Sequence, residues 1–268
     1  MLSTAALILI VTSKVLGQDD RRAVKGQIYP LDMAPDSVDD LYEGCTEKMK
    51  TLVERDYFNT EIAANKSGFE KAWNIGKDKF PEPQDNLARN NLIAIYVYTG
   101  VIEGLYKEFN QDVRNGKQTY QNKTFSWYLL YYWLTRAIQI LNETQNGCIF
   151  TYRGTQDTFK GELNSEIRFG SFASSSRDQT EANKFGTESC FEIRTCLGAD
   201  VSKYSWKPNQ KEVLIPPYET FKVTNIRKSK KKGNRCNTVF ELKSTGIRSF
   251  LNCAVAKPMK YHNVIISD

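Results

Sequence analysis

The first half of the chain carries apolar residues at helical spacing, which is typical of amphipathic helices. Its pattern predicts a first helix that opens at Ser37–Asp40 and runs through Met49 and Val53. Further helices are predicted at residues 67–77, 90–109 and 125–141. The Pro-Glu-Pro sequence at residues 81–83 predicts a loop between the helices at 67–77 and 90–109.

Beyond about residue 147 the pattern changes to short β-rich runs separated by Gly, Asn, Pro and Lys clusters. The predicted strands lie at residues 149–153, 170–173, 190–197, 212–215, 220–227, 238–244 and 254–256. Helices followed by strands are typical of an α+β protein. We therefore expect one domain at residues 18–268, with a helical part at 18–146 and a β-rich part at 147–268.

The most apolar internal run is FSWYLLYYWLTRAIQIL at residues 125–141, and it contains Arg136 and Gln139. A membrane-spanning helix needs about 20 apolar residues without buried charge, so a core helix is the better interpretation. The C-terminal sequence VIISD has no hydrophobic tail of the kind that directs GPI anchoring. We therefore expect neither a transmembrane segment nor a GPI anchor.

Residues 1–17 resemble a secretory signal peptide with cleavage before Gln18, although no Lys or Arg precedes the apolar stretch. The alternative is an apolar N-terminal arm of the fold. Three sequons, at Asn65, Asn122 and Asn142, are candidate glycosylation sites in an exported protein. Together with six Cys, these features predict a secreted, extracellular product.

Composition excludes several classes of function. Among 268 residues, 40% are hydrophobic and 25% are charged, which is ordinary for a folded protein and excludes a disordered chain. The single histidine, His262, excludes a three-His zinc site and leaves only one candidate His base. No Cys-x-x-Cys pair occurs, so we expect no metal.

The net charge of +6 permits anionic partners but does not by itself indicate nucleic acid, and we expect none. The sharpest charge feature is the basic segment RKSKKKGNR, which runs from Arg227 to Arg235 between two predicted strands. A long hairpin loop is its simplest interpretation, and contact with a heparin-like or acidic surface is the alternative. A secreted nuclease that uses this segment is a poor hypothesis, because it would have one histidine and no metal cluster.

The six Cys leave many disulfide connectivities open. Cys190 and Cys196 lie in one predicted strand, where they would be roughly 20 Å apart at about 3.3 Å per residue. A disulfide requires Cα atoms within about 7 Å, so these two cannot pair with each other.

Three segments of the β-rich half carry candidate chemistry. In the first, Arg153 precedes Gly154, a pair that suits an anionic ligand because guanidinium offers paired donors and glycine lets the backbone approach closely. The second ends in the serine cluster 174–176, where Ser176 could equally be a helix N-cap. In the third, Gln210 and Glu212 would share a face if the segment is extended, and the ordinary interpretation of Glu212 is a solvated edge residue.

Together these segments resemble the vertebrate secreted and cell-surface mono-ADP-ribosyltransferases of the Arg–Ser–Glu type. The segment EVLIPPYE at residues 212–219 is highly specific to that family. Other matching segments lie in the same order over most of the chain: MAPDS (33–37), DD (39–40), YEGC (42–45), YYWLTRAIQIL (131–141), YRGT (152–155), RFGSFASSS (168–176) and TCLG (195–198).

The resemblance implies a helical part packed on a mostly antiparallel two-sheet β core, and an enzyme that cleaves NAD between nicotinamide and ribose. It makes Glu212 the catalytic Glu, Ser174 the residue that orients it, and Arg153 a contact for the NAD phosphates. Gly154, Phe185 and Lys207 match further NAD-binding positions, Lys207 less closely. The leaving group is a neutral pyridine, so the chemistry needs no His base, and Glu212 would stabilise an oxocarbenium-like sugar.

The sequence departs from the arginine-modifying members at Gln210, where they carry Glu. A carboxylate there can pair with the incoming guanidinium, and Gln keeps the shape without the charge. The resemblance therefore implies transfer to protein arginine or, given Gln210, largely to water. The alternative is a catalytically silent secreted binding protein that retains the fold. The resemblance also implies three disulfides, Cys45–Cys253, Cys148–Cys196 and Cys190–Cys236.

Overall fold

A computed structural model of the chain describes residues 28–229 and 236–256. The predicted signal peptide and His262 lie outside the described residues, and so does the part of the basic segment at 230–235. The α-helices are α1 Thr46–Leu52, α2 Phe58–Ala64, α3 Phe69–Lys79, α4 Arg89–Tyr96, α5 Leu105–Asn115, α6 Lys117–Gln121, α7 Tyr128–Glu143 and α8 Gln179–Asn183. A π-helical turn, Val53–Tyr57, joins α1 to α2, and another, Val97–Val101, follows α4.

The strands are β1 Ile28–Pro30, β2 Ile149–Thr155, β3 Thr158–Lys160, β4 Glu166–Ile167, β5 Ala173–Ser176, β6 Ser189–Thr195, β7 Ala199–Asp200, β8 Glu212–Ile215, β9 Glu219–Lys228 and β10 Thr238–Ile247. Eight of them form one sheet in the order β4-β9-β10-β6-β2-β5-β8-β7, and β1 pairs with β3. Among the strand pairs within residues 28–229 and 236–256, only β6–β10 and β1–β3 are parallel. The predicted α+β class and the mostly antiparallel β structure are confirmed.

The main sheet divides between β2 and β5. These strands pair at a single position, Tyr152 with Ser176, whereas β2 pairs with β6 along its whole length. The sheet therefore consists of a five-stranded part ending in β2 and a three-stranded part beginning with β5. This division opens the surface on which the candidate site lies.

The aromatic helix α7 forms the centre of the helical part, as predicted for a core helix. Ten of its residues are buried, including Tyr131 and Trp133. The Glu61 carboxylate lies at its N-terminus and accepts hydrogen bonds from the backbone N–H groups of Tyr128 and Leu129, at 2.8 and 3.0 Å. This contact satisfies two of the orphan donors that every helix start exposes.

The predicted helix start at Ser37–Asp40 is wrong, because α1 begins only at Thr46. The two aspartates that resembled a helix N-terminus are instead buried and bind distant groups. Asp39 forms a salt bridge of 2.5 Å with Arg168, and both side chains are inaccessible to solvent. Asp40 accepts hydrogen bonds from the Tyr120 hydroxyl and the Cys253 backbone N–H. The two aspartates therefore bind groups that are distant in the chain and do not cap a helix.

Three further predicted elements differ from the structure. The predicted helix at 90–109 is broken after residue 101, where Gly104 has a φ of +88°. The strand predicted at 170–173 lies instead at Ala173–Ser176, because Gly170 turns the chain with a φ of +68°. The strand predicted at 254–256 does not form, since this segment is a turn tied to the helical part through Cys253.

The three disulfides implied by the resemblance are present: Cys45–Cys253, Cys148–Cys196 and Cys190–Cys236. The first connects the start of α1 to the last described segment, and the third connects β6 to the residues before β10. In the entropic model, closing loops of 208, 48 and 46 residues stabilises a fold by about 3–5 kcal/mol each.

The three sequons differ in their surroundings. Asn65 and Asn122 are exposed. The Asn142 side chain is partly buried, and its Nδ2 donates hydrogen bonds of 3.0 Å to the carbonyls of Cys196 and Gly198. A glycan on this nitrogen would replace one of those donated protons, so Asn142 is the least suitable of the three.

Candidate active site

A cleft of about 510 Å³ lies where β2 and β5 diverge. The β-rich part lines it with residues 152–157, Ser174, Ser175, Ser176, Ala182, Phe185, Lys207, Gln210 and Glu212. All of the predicted catalytic and NAD-binding residues, Arg153, Gly154, Ser174, Phe185, Lys207, Gln210 and Glu212, therefore border one cavity.

Arg153 and Ser174 connect the two strands across the division of the sheet. Arg153 Nη1 donates a hydrogen bond of 2.5 Å to the backbone carbonyl of Ser174, in a region where ladder bonds between β2 and β5 are sparse. Burial lowers the pKa of the Arg153 guanidinium, because desolvation penalises its charged form. The guanidinium of Arg153 is thus held between the two strands at the back of the cleft.

Glu212 is the first residue of β8, and it is only 5% exposed, so it is not the solvated edge residue of the ordinary interpretation. Burial raises the pKa of its carboxyl to about 7. A hydrogen bond from Ser174 and the charges of Arg153 and Lys207 oppose that increase. A buried carboxyl that ionises near neutral pH beside a hydroxyl and two cations is a common arrangement in active sites.

Gln210 reaches the cleft by a different route from the one predicted. The segment before β8 is not extended: Pro208–Gln210 form a 3₁₀ turn, and Lys211 has a φ of +47°. Gln210 and Glu212 border the same cavity because of this turn rather than strand alternation. Lys211 does not line the cavity and pairs with Asp178 at 3.0 Å.

Gly154 is required by packing of the protein against itself. A Cβ on Gly154 would lie 2.3 Å from the carbonyl oxygen of Gly186 and 2.7 Å from that of Ala182. The absent side chain therefore lets α8 and the turn after it lie directly on β2. That turn carries Phe185, which is 54% exposed on the cleft wall.

The comparisons with known proteins agree with this geometry. The family model described as NAD:arginine ADP-ribosyltransferase matches residues 31–243. The chain belongs to this family. It is 37% identical over 259 residues to "Ecto-ADP-ribosyltransferase 5" of Bos taurus, with 89% of this chain and 79% of the relative aligned. It is 33% identical over 263 residues to "GPI-linked NAD(P)(+)--arginine ADP-ribosyltransferase 1" of Oryctolagus cuniculus, covering 90% and 78% of the two chains.

Among solved structures, the chain is similar to the eucaryotic mono-ADP-ribosyltransferase ART2.2. The TM-score is 0.70 at 30% identity, and 84% of this chain and 98% of that chain are covered. Two mutants of ART2.2 were solved in complex with NADH and with NAD. Membership of the NAD:arginine ADP-ribosyltransferase family makes this protein an ADP-ribosyltransferase and NAD its substrate.

The predicted site residues all lie in the β-rich half, but the helical half supplies a second wall of the cleft that the sequence analysis missed. This wall consists of Tyr98, Thr99, Gly100, Tyr106, Lys107 and Asn110. Gly100, with a φ of +118°, lies 3.9 Å from Lys207 Nζ as measured from an added Cβ. The signal that could have revealed this wall is the pair of glycines that interrupts the helical pattern at 100 and 104.

Three other expectations concern the N-cap of α8, a metal site and a membrane-spanning helix. The N-cap of α8 is Asp178, whose carboxylate accepts from the Thr180 N–H, whereas Ser176 accepts from the Asp178 N–H. Within residues 28–229 and 236–256 no group of three or more His, Cys, Asp or Glu could hold a metal ion. In the same residues no helix has both the length and the apolar character needed to cross a bilayer.

Proposed function

We propose that the protein cleaves NAD between nicotinamide and ribose and transfers ADP-ribose to arginine side chains or to water. The observation that carries this proposal is Glu212, a carboxylate buried at the wall of the cleft beside Ser174 and Arg153. Glu212 is the catalytic residue, Ser174 orients it, and Arg153 contacts the phosphates. Gly154, Phe185 and Lys207 complete the NAD site.

The roles follow from where charge develops during the reaction. The C–N glycosidic bond breaks, its electron pair leaves with the nicotinamide nitrogen, and the ribose C1′ becomes positively charged. The Glu212 carboxylate accepts a hydrogen bond from the ribose 2′-OH and stabilises this charge more strongly in the transition state than in bound NAD. A guanidinium nitrogen or a water oxygen then bonds to C1′ and releases one proton.

Gln210 sets the choice between these two acceptors. Gln210 borders the same cavity as Glu212, but its side chain carries no charge, so it cannot form an ion pair with an incoming guanidinium. Lys211 does not line the cleft, and the Asp178 carboxylate at 3.0 Å offsets its charge. Water, which needs no ion pair, is therefore the favoured acceptor, and the protein acts largely as an NAD glycohydrolase.

Product analysis with NAD and agmatine, an arginine analogue, tests this choice. We expect Gln210→Glu to raise the ratio of ADP-ribosyl-agmatine to ADP-ribose about tenfold, which corresponds to roughly 1.4 kcal/mol. Asn209→Asp is the matched control, because it adds the same charge at an exposed neighbour that does not line the cleft. An unchanged ratio in Gln210→Glu, or an equal increase in the control, would contradict the role of Gln210.

We also propose that the protein acts outside the cell, after removal of residues 1–17. Three disulfides support this location, because such bonds persist in oxidising compartments. Expression of the full chain in cultured cells tests it: the protein should accumulate in the medium with Gln18 at its N-terminus. Retention inside the cell with residues 1–17 attached would contradict it.

A further inference from the structure

The wide turn after α4 directs one tyrosine towards the back of the candidate active site. Tyr98 lies in the π-helical turn Val97–Val101, and such turns often occur at functional sites. The tyrosine is 2% exposed, and it borders the cleft on the side of β5. The family motifs do not include this residue, which belongs to the helical half.

The Tyr98 hydroxyl contacts the strand that carries Ser174. It donates a hydrogen bond of 3.0 Å to the carbonyl of Phe172, and it lies 3.4 Å from the hydroxyl oxygen of Ser174. These two residues flank Ala173, the start of β5. Tyr98 therefore contacts both the backbone that leads into β5 and the hydroxyl that acts on Glu212.

A second polar side chain fixes the orientation of the Tyr98 hydroxyl. Asn110, from α5, donates a hydrogen bond of 3.0 Å from Nδ2 to the phenolic oxygen. Because the oxygen accepts from Asn110, its own proton points at β5. There the Phe172 carbonyl at 3.0 Å and the Ser174 hydroxyl oxygen at 3.4 Å share it, which leaves the Ser174 proton for Glu212. Asn110 Oδ1 is buried and has no hydrogen-bond partner among the described residues, so the amide is held in place at some cost in stability.

We propose that Tyr98, held by Asn110, is a positioning residue that keeps the Ser174 hydroxyl directed at the Glu212 carboxylate. This inference rests on the proposed function, because it assigns Tyr98 a role only through Ser174 and Glu212. Loss of the phenolic hydroxyl leaves Ser174 free to turn away from Glu212 and leaves every residue of the proposed NAD site in place. The expected result is slower bond cleavage with little change in KM.

The pH dependence of the reaction reports on this chain of contacts. The groups that act on the Glu212 carboxyl are Ser174 from β5, Arg153 from β2 and Lys207 from the segment before β8. Tyr98 adds its hydroxyl behind Ser174. When the Ser174 hydrogen bond weakens, Glu212 loses a contact that lowers its pKa, so the rate rises at a higher pH than in the wild type.

The experiment measures nicotinamide release from NAD by Tyr98→Phe from about pH 5 to pH 9. We expect kcat to fall about tenfold, KM to stay within about twofold, and the midpoint of the pH–rate curve to rise by about half a unit. Asn110→Leu should produce the same changes in weaker form. Tyr120→Phe is the matched control, because its buried hydroxyl bonds to Asp40 and Tyr42, none of which lines this cleft.

A Tyr98→Phe protein with the wild-type kcat and midpoint would overturn the inference, as would changes equal to those of Tyr120→Phe. If Tyr98→Phe does not fold, Asn110→Leu provides the same test, and an unchanged midpoint in it would overturn the inference. Glu212→Gln is measured alongside. Full nicotinamide release by that variant would overturn the proposed function itself, which separates failure of the site from failure of Tyr98.

Discussion

Glu212 and Glu219 stand at the two ends of the segment EVLIPPYE, and both are buried. Burial raises the pKa of both carboxyls. Their surroundings differ. Glu219 accepts hydrogen bonds from Thr195 Oγ1, Cys196 N and Leu197 N at 2.6, 2.7 and 3.1 Å. Glu212 borders the cleft, with Ser174 as its hydrogen-bond donor.

The comparison shows that burial alone does not identify a functional carboxylate. The carboxylate of Glu219 accepts hydrogen bonds from the turn that leads from β6 to β7, so it stabilises the fold at the start of β9. Glu212 has no backbone donor of that kind among the described hydrogen bonds, and it faces a cavity that can receive a ligand. We infer that Glu219 supports the structure, whereas Glu212 is available for chemistry.

The largest expected effect on stability comes from Glu219→Ala. This change leaves the Thr195 hydroxyl and two backbone N–H groups without their acceptor, and each unsatisfied buried group costs about 1–3 kcal/mol. We expect the free energy of unfolding to fall by about 3 kcal/mol in denaturant titrations with the disulfides intact. A loss below about 1 kcal/mol would mean that Glu219 is not a structural anchor.

Glu212→Gln should have the opposite effect on stability above neutral pH. The pKa of Glu212 is about 7 in the folded protein and 4.5 in the reference state, so the folded state binds the proton more tightly. The protonated Glu212 therefore stabilises the folded state at low pH, and this contribution is lost as the pH rises through 7. We expect Glu212→Gln to be more stable than the wild type by about 2 kcal/mol at pH 8 and about equal at pH 4. Lower stability at pH 8 would contradict this account.

A smaller effect is expected in the pH dependence of activity. Because Glu212 acts as a carboxylate, kcat/KM should rise with pH and reach half its maximum near pH 7. The charge of Lys207 lowers the pKa of Glu212, so Lys207→Met should move this midpoint up by a few tenths of a unit. Lys203→Met is the control, since Lys203 is exposed and pairs with Asp85. Equal midpoints for both variants would exclude this influence of Lys207.

The sequence predicted the β side of the site well, because its chemistry is concentrated in short segments. Strand 212–215 has the predicted bounds, and the disulfides implied by the resemblance are present. The approach to β8 was wrong in detail. The positive φ of Lys211 has no signal in the sequence, since lysine rarely adopts that conformation.

The helical side of the site could not be predicted from periodicity. Apolar spacing continues through the break after α4, because the residues on both sides of the break pack into the same core. The contact between Tyr98 and Ser174 joins residues 76 positions apart in the chain, so no local sequence pattern predicts it. Similarly, the burial of Asp39 against Arg168 depends on a partner 129 positions away, whereas local spacing suggested a helix start.

The most direct test of the central claim is nicotinamide release from NAD by the wild type, Glu212→Gln and Glu219→Gln at equal concentrations of folded protein. Both substitutions keep the shape of the side chain and remove its charge. The account predicts that Glu212→Gln lowers kcat by about 100-fold or more, whereas Glu219→Gln stays within about threefold of the wild type. Comparable release by wild type and Glu212→Gln, or equal losses in both variants, would contradict it.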